Sequence, residues 1–367
     1  MAAAGYLVEL ATTTETASNQ DGVQLVPLGS QRGLVGRILR DIRALILMLR
    51  QPKKVIIHIH DPELLLSAAI PVLLGRKLVY DVHEFYESRI AETPGLPVPF
   101  RWLLSRAYTL AERLIVRRFS GVVIVSEGMC GRYESLVGHD RVALVQNFPA
   151  ISDAQVQEAV ASPHPVDGRK FIVHTGGASK LRAYHVLVEA AEYLRSRGCD
   201  WPILNLGKVD LTEYSPDERS KLFERGERSG IRNVGQLSQS EAWRYVSHAT
   251  IGCMPLLPVS NNAQGQPQKL FEYLRFGLPI VATDLTNIAR FIKATSAGIL
   301  VPPEDGRAMG LALYSIAGDP SALERYSSAA KKAANSYSFS TEFEKLCALY
   351  DRIVLGRLAQ RPSVNRG

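Results

Sequence analysis

A chain of 367 residues, 46% hydrophobic and 22% charged, has the composition of a soluble globular protein and the length of two ordinary domains. Its formal charge of +7 is uneven: residues 32–54 carry +6 and residues 89–118 carry +4, leaving the remainder at −3. No nucleic-acid reader motif accompanies that charge, no apolar run reaches the roughly 18 residues of a spanning helix, and no signal peptide is read. Cys130, Cys199, Cys253 and Cys347 are scattered without C-x-x-C or His-linked spacing, which argues against a metal site or a disulfide framework and fits a reducing cytosol.

In chain order, the opening MAAAG reads as the end of a helix capped by Gly5 that runs straight into a strand. Strands are expected at Tyr6–Ala11, Val55–His60, Lys77–Val82, Gly121–Val125 and Val142–Val145, separated by amphipathic stretches. That alternation indicates a parallel sheet flanked by helices, with ligands at the carboxyl ends of its strands. Between Val35 and Leu49 an apolar stripe (Val35, Ile38, Ile42, Leu45, Ile46, Leu49) is expected to pack inward. Arg37, Arg40, Arg43 and Arg50 lie away from it, with Leu47 and Met48 on the arginine side. A second basic face carries Arg106, Arg113 and Arg117, opposite Leu104, Tyr108, Ala111 and Ile115. His83 ends a strand, where an imidazole faces the ligand, and His60 and Asp61 are candidates at the end of another. Glu84 and Glu63 are weaker candidates for acceptor contacts. His58 and His60 are expected to point to opposite faces, with His58 packed, which disfavours a His–His–Asp metal set.

Residues 149–168, rich in Pro, Ser, Asp and Ala, read as an inter-domain linker holding a short helical piece. A second alternation begins at Lys170 with FIVHT, ILNLG, ATIGCMP, PIVATD and AGILVPP, and a long helix over roughly 340–358 closes the chain. In the turn HTGGASKLRA, from His174 to Ala183, Gly176 and Gly177 let backbone approach a ligand closely. Lys180 and Arg182 are placed there to clamp a pyrophosphate, although a plain βα turn with surface cations is the alternative. Further on, QGQPQKLFEYLRFGLPIVATD (264–284) reads as a loop, a helix over Gln268–Phe276, a left-handed cap at Gly277 and a buried strand. Such a helix N-terminus seats phosphate; Lys269 adds a mobile cation, and Glu272, one turn in, suits ribose hydroxyls.

These segments resemble the donor-binding signature of GT-B nucleotide-sugar glycosyltransferases of the family 4 type, and the likeness runs through nearly the whole chain. That family carries two glutamates eight positions apart before a G-x-P-V/I-V-A/G helix end. Glu272 matches the second; the first falls on Gln264. Pro267, Lys269, Glu272 and Tyr273 match a P-x-K-x-x-E-Y variant. The glycine turn resembles G-G-x-S-x-x-R-G, with Arg182 in the position that touches the diphosphate and Gly177 where many relatives carry an arginine. His83 matches a histidine set beside the transferred sugar.

The resemblance implies an α/β, GT-B fold: two doubly wound Rossmann-like domains facing a cleft, with a C-terminal helical tail. The divisions are expected at 1–148, a linker over 149–168, 169–339 and a tail over 340–367. It implies transfer of a sugar from a nucleotide diphosphate sugar to a cell-envelope polysaccharide or lipid-linked acceptor, with retention and with no metal or other cofactor. Donor binding falls to Gly176, Gly177, Lys180, Arg182, Lys269 and Glu272, and the reacting centre to His83 and Gln264. The basic faces suit an anionic membrane, so the expected location is cytoplasmic, in solution or peripheral at the inner face of the plasma membrane. By the same likeness one strand, loop and helix are missing ahead of Met1, unless the fold simply begins there. Two other readings stand beside this one. A nucleotide-sugar epimerase of the same fold would want carboxylates to handle protons. A truncated relative would be inactive or serve in assembly.

Overall fold

In the computed structural model, residues 1–14, 16–29, 33–92, 97–259, 262 and 267–355 are described. The chain forms two compact units, one of Met1–Gln146 with the C-terminal stretch from Glu344, the other of Asn147–Phe343. Gln264 lies outside the described residues.

The first unit opens with a 3-10 turn, Ala2–Ala4, closed by Gly5 at φ 86°, whose N–H donates to Ala2 O. β1 (Val8–Thr12), β2 (Ser18–Gln20) and β3 (Val23–Pro27) form a three-stranded sheet in the order β1-β3-β2. The β2–β3 hairpin turns on Asp21 and Gly22, both at positive φ, the two-residue geometry that matches strand twist. There follow α1 (Gly33–Arg50), β4 (Ile56–Ile59), α2 (Leu65–Leu73), β5 (Lys77–Val82), α3 (Tyr86–Glu92) and α4 (Val98–Val116). β6 (Gly121–Ile124), α5 (Cys130–Val137) and β7 (Val142–Leu144) complete the run. β4 to β7 make a four-stranded parallel sheet in chain order. Leu78, Tyr80, Val82, Val122 and Ile124 build the core on one face. Val79, Val123 and Ala143 face the other way and are covered by Leu349, Tyr350 and Ile353 of the C-terminal helix, Phe339–Leu355.

α1 is turned opposite to the expectation. Arg40, Ala44 and Met48, four residues apart, are buried, while Val35, Ile38, Ile42 and Ile46 are exposed. The reason is ionic pairing. Arg40 meets Asp41 at 2.6 Å, Asp61 at 3.3 Å and Glu63 at 2.9 Å, so its charge enters the interior compensated.

The second unit begins with α6 (Asp153–Ala161), closed by a reciprocal Ser152–Gln155 capping box, whose Ala159 packs with Ile151 and Trp243. Six parallel strands follow: β8 (Ile172–Thr175), β9 (Ile203–Leu206), β10 (Ile231–Gly235), β11 (Ile251–Met254), β12 (Ile280–Thr283) and β13 (Gly298–Val301). Val173, Leu204, Met254, Ile280 and Ala282 face one helical layer; Ile172, Ile203, Cys253, Val281 and Val301 face the other. The helices of those layers are α7 (Tyr184–Ser196), α8 (Pro216–Arg228), α9 (Gln239–His248), α10 (Gln268–Arg275), α11 (Thr286–Thr295), α12 (Gly306–Ala317) and α13 (Pro320–Ala334). The strand order β10-β9-β8-β11-β12-β13 reverses direction between β8 and β11. In an open α/β sheet that switch point is where a ligand sits, outside the carboxyl ends of the strands.

Candidate active site

The chain leaves β8 at Thr175 and bends through Gly176, at φ 92°. Gly207, just past β9, comes so close that a Cβ on it would fall 2.4 Å from the Gly176 carbonyl carbon; only glycine fits. Arg182 folds back over this turn, its Nη1 2.8 Å from where a Gly176 Cβ would stand. From the other side of the switch point, α10 starts after Pro267, and among the described residues no side chain caps its first turn. These parts line one cavity of about 700 Å3, which gathers Gly176, Gly177, Arg182, Lys269 and Glu272. Lys180 is not among the lining residues; its ammonium lies over the Tyr214 ring, 5.3 Å from the centroid.

Lys269 is not the mobile cation expected from the sequence. It is buried, 8% exposed, and its Nζ lies 3.2 Å from His174 Nε2. Behind it runs a polar chain. His174 Nδ1 meets Asn205 Oδ1 at 2.8 Å, and Asn205 Nδ2 donates to Asn233 Oδ1 at 3.1 Å. Because the Asn205 amide nitrogen donates onward, its oxygen accepts from His174 Nδ1–H, and Nε2 is left as the acceptor for Lys269. Burial pushes the Lys269 amine down to about 7, with the nearby Arg182 charge adding to the effect. Burial also holds His174 well below its ordinary value, and Lys269 adds to that. Glu272 is raised by burial, against the opposing hydrogen bond that Trp243 Nε1 donates to Oε1 at 3.3 Å. Tyr273 is buried, and its hydroxyl accepts the Thr175 N–H at 2.9 Å. It therefore ties α10 to the end of β8. His174 and Asn205 have no role in the sequence reading, and Tyr273 enters it only through the P-x-K-x-x-E-Y match. The available signal is a histidine, an asparagine and a tyrosine set among buried apolar runs, where each must find a partner.

In the first unit His83 directly follows β5, half-exposed, with Nε2 3.5 Å from Asp81 Oδ2. His60 Nδ1 is 3.0 Å from the same oxygen and His58 Nε2 is 3.4 Å from it. The expectation that His58 and His60 face opposite sides is overturned: residues two apart on a strand share a face, and these two rings stack at 4.5 Å. Asp81 is thus the centre of a three-histidine cluster. Burial works to raise its carboxyl, but the three imidazoles outweigh that and hold it well below the usual carboxylate range. Asp81 in turn raises His83, whereas burial lowers His58. Asp61 Oδ1 accepts the Glu63 N–H and its other oxygen pairs with Arg40, Glu63 also meets Arg40, and Glu84 pairs with Arg89 at 2.9 Å.

Two Rossmann-like units, the second with a pocket of about 700 Å3 at its switch point, are the architecture of GT-B proteins. Residues 1–147 match the Glycosyl transferase 4-like domain, and residues 169–319 match Glycosyl transferases group 1. The alpha-D-kanosaminyltransferase of Streptomyces kanamyceticus is 26% identical over 52% of this chain and 47% of its own length. The amylovoran biosynthesis glycosyltransferase AmsK of Erwinia amylovora is 23% identical over 50% of this chain and 44% of its own. The matches thus span about half the length of these curated relatives. Anabaena HepE, solved in complex with UDP and glucose, superposes with a TM-score of 0.63 at 14% identity, covering 89% of this chain and 84% of that one. The chain belongs to the GT-B glycosyltransferases of the family 4 type.

Among the described residues, no helix is long and apolar enough to cross a membrane.

Proposed function

We propose that the protein transfers a sugar from a nucleotide diphosphate sugar to a saccharide or lipid-linked acceptor of the cell envelope, with retention at the anomeric carbon. One observation carries the reading: the pocket of the second unit gathers a glycine turn, two cations and a carboxylate at the topological switch point. Arg182, Lys269 and the first turn of α10 would neutralise the diphosphate as it leaves, an electrostatic contribution from groups already held in place. Glu272, fixed by Trp243, would take the ribose hydroxyls. The family resemblance assigns the sugar itself to Gln264 and His83. The relatives' own names support this class of donor and acceptor: HepE is described with UDP and glucose, and AmsK with amylovoran biosynthesis.

Peripheral docking on an anionic membrane belongs to the same proposal. α4 exposes Trp102, Leu103, Leu110 and Leu114 among its arginines, and α1 exposes Ile38, Ile42 and Ile46, so each of these helices presents exposed apolar groups along with its basic ones. The function is tested by incubating the chain with a panel of nucleotide diphosphate sugars and envelope lipid extract, and following labelled sugar into the lipid or polysaccharide fraction. Incorporation that depends on Arg182 and Lys269 supports the reading. Sugar epimerisation without acceptor, or no turnover of any donor, overturns it.

A further inference from the structure

The first unit carries a side-chain cluster in which the transfer reaction, as proposed, uses His83 alone. β4 and β5 run parallel with His58 paired to Val79, which places His58 and His60 on the same sheet face as Asp81 and beside it. One ring nitrogen each of His58 and His60 and an Asp81 oxygen all lie within 4.8 Å of one another. His58 Nε2 and His60 Nδ1 meet Asp81 Oδ2 at 3.4 and 3.0 Å. Ligands at about 2.0–2.1 Å from a tetrahedral zinc ion are separated by roughly 3.3 Å, which matches the two distances to Asp81 Oδ2; the stacked His58 and His60 rings, 4° from parallel, would turn toward the ion on binding. Two further observations point to a shared cation. Among the described residues, His58 Nε2 and Asp81 Oδ1 are buried with no hydrogen-bond partner, while His58 Nδ1 has one. His58 Nδ1 is held by the Tyr350 hydroxyl of the C-terminal helix, which fixes the ring's orientation and leaves Nε2 facing Asp81. That outer hydrogen bond is the usual support of a metal-bound imidazole.

We propose that His58, His60 and Asp81 bind a divalent transition-metal ion of the zinc class. Two imidazoles and a carboxylate suit zinc, iron or nickel rather than magnesium, which prefers oxygen ligands. A single proton would balance Asp81, so charge alone does not call for three imidazoles around it. The site belongs to the first unit and is independent of the donor pocket in the second.

The test uses the full chain, stripped with a chelator, dialysed against zinc, desalted and counted for metal by mass spectrometry. About one zinc per chain is expected, and cobalt in its place should give the intense visible absorption of four-coordinate cobalt. His60 is exposed, so His60→Gln leaves folding intact while lowering zinc affinity tenfold or more, roughly the scale of a lost ligand or support. Tyr350→Phe should weaken zinc by about 10–100-fold through His58 alone. His139→Gln, at a surface histidine in the same unit, is the control and should change nothing. A wild-type chain that retains no zinc, or a His60→Gln chain with unaltered melting temperature and wild-type zinc content, overturns the proposal.

Discussion

Lys269 sits one hydrogen bond from a buried, neutral histidine, and its amine titrates at about 7. Above that pH the amine is largely neutral in the free protein. A diphosphate beside it would restore the ammonium, so binding should take up a proton between about pH 7 and the ordinary lysine value near 10.4. The direction is specific: a depressed amine gains a proton when an anion arrives, and below about pH 6 it already has it. Calorimetric heats of UDP binding at pH 8, compared in buffers of different ionisation enthalpy, should show that uptake, and Lys269→Met should abolish it. Equal heats in all buffers would remove Lys269 from the phosphate site. Glu272 offers a separate check: Glu272→Gln should weaken uridine as well as UDP, because its assigned partner is the ribose. Unaltered uridine affinity would detach it from that role. The sequence made Lys269 and Glu272 legible through spacing and likeness, but not the burial of Lys269. Burial depends on His174 and Asn205, which come from two other strands.

At the scale of elements, α10 is fixed by a close approach. Its Tyr273 ring lies against Gly252 of β11, where a Cβ would fall 2.5 Å from Cδ2. Gly252→Ala should therefore destabilise the second unit by about 1–3 kcal/mol, the range for overpacking a filled core. Tyr273→Phe keeps the volume but strands the Thr175 N–H, and should cost about 1–3 kcal/mol in a denaturant melt. A neutral outcome for both would mean that α10 is not held through Tyr273. Most strands were readable because buried parallel strands are short β-branched runs, and Lys77–Val82 falls on β5 to the residue. Gly277 at φ 68° likewise caps α10 as its spacing predicts. The β2–β3 hairpin was readable from Asp21–Gly22 but was overlooked beside the stronger apolar runs. The orientation of α1 was not readable. Its two faces are both rich in apolar residues, and the choice rests on Arg40 meeting Asp61 and Glu63, more than 20 positions away. The shared face of His58 and His60 was readable and was misassigned: a period of two puts them together.

On the whole molecule, the charge resides in the first unit's exposed helices while the second unit holds the pocket. The protein should sediment with anionic vesicles and not with neutral ones, and release as salt rises, since charges are screened over about 8–10 Å at physiological ionic strength. Replacing Arg106, Arg113 and Arg117 with Gln should reduce that attachment without lowering the melting temperature, because all three are exposed. Salt-independent partition onto both vesicle types would leave the basic faces as solvated surface. The most direct test of the donor pocket is an isothermal titration of the full chain with UDP and other nucleoside diphosphates, beside Arg182→Ala. Saturable binding is expected in the wild type, weakened in the variant by about 1.5–3 kcal/mol, roughly ten- to a hundredfold, as for the loss of a hydrogen bond to a charged group. No heat with any nucleoside diphosphate, or equal affinity in Arg182→Ala, would contradict the assignment of this pocket.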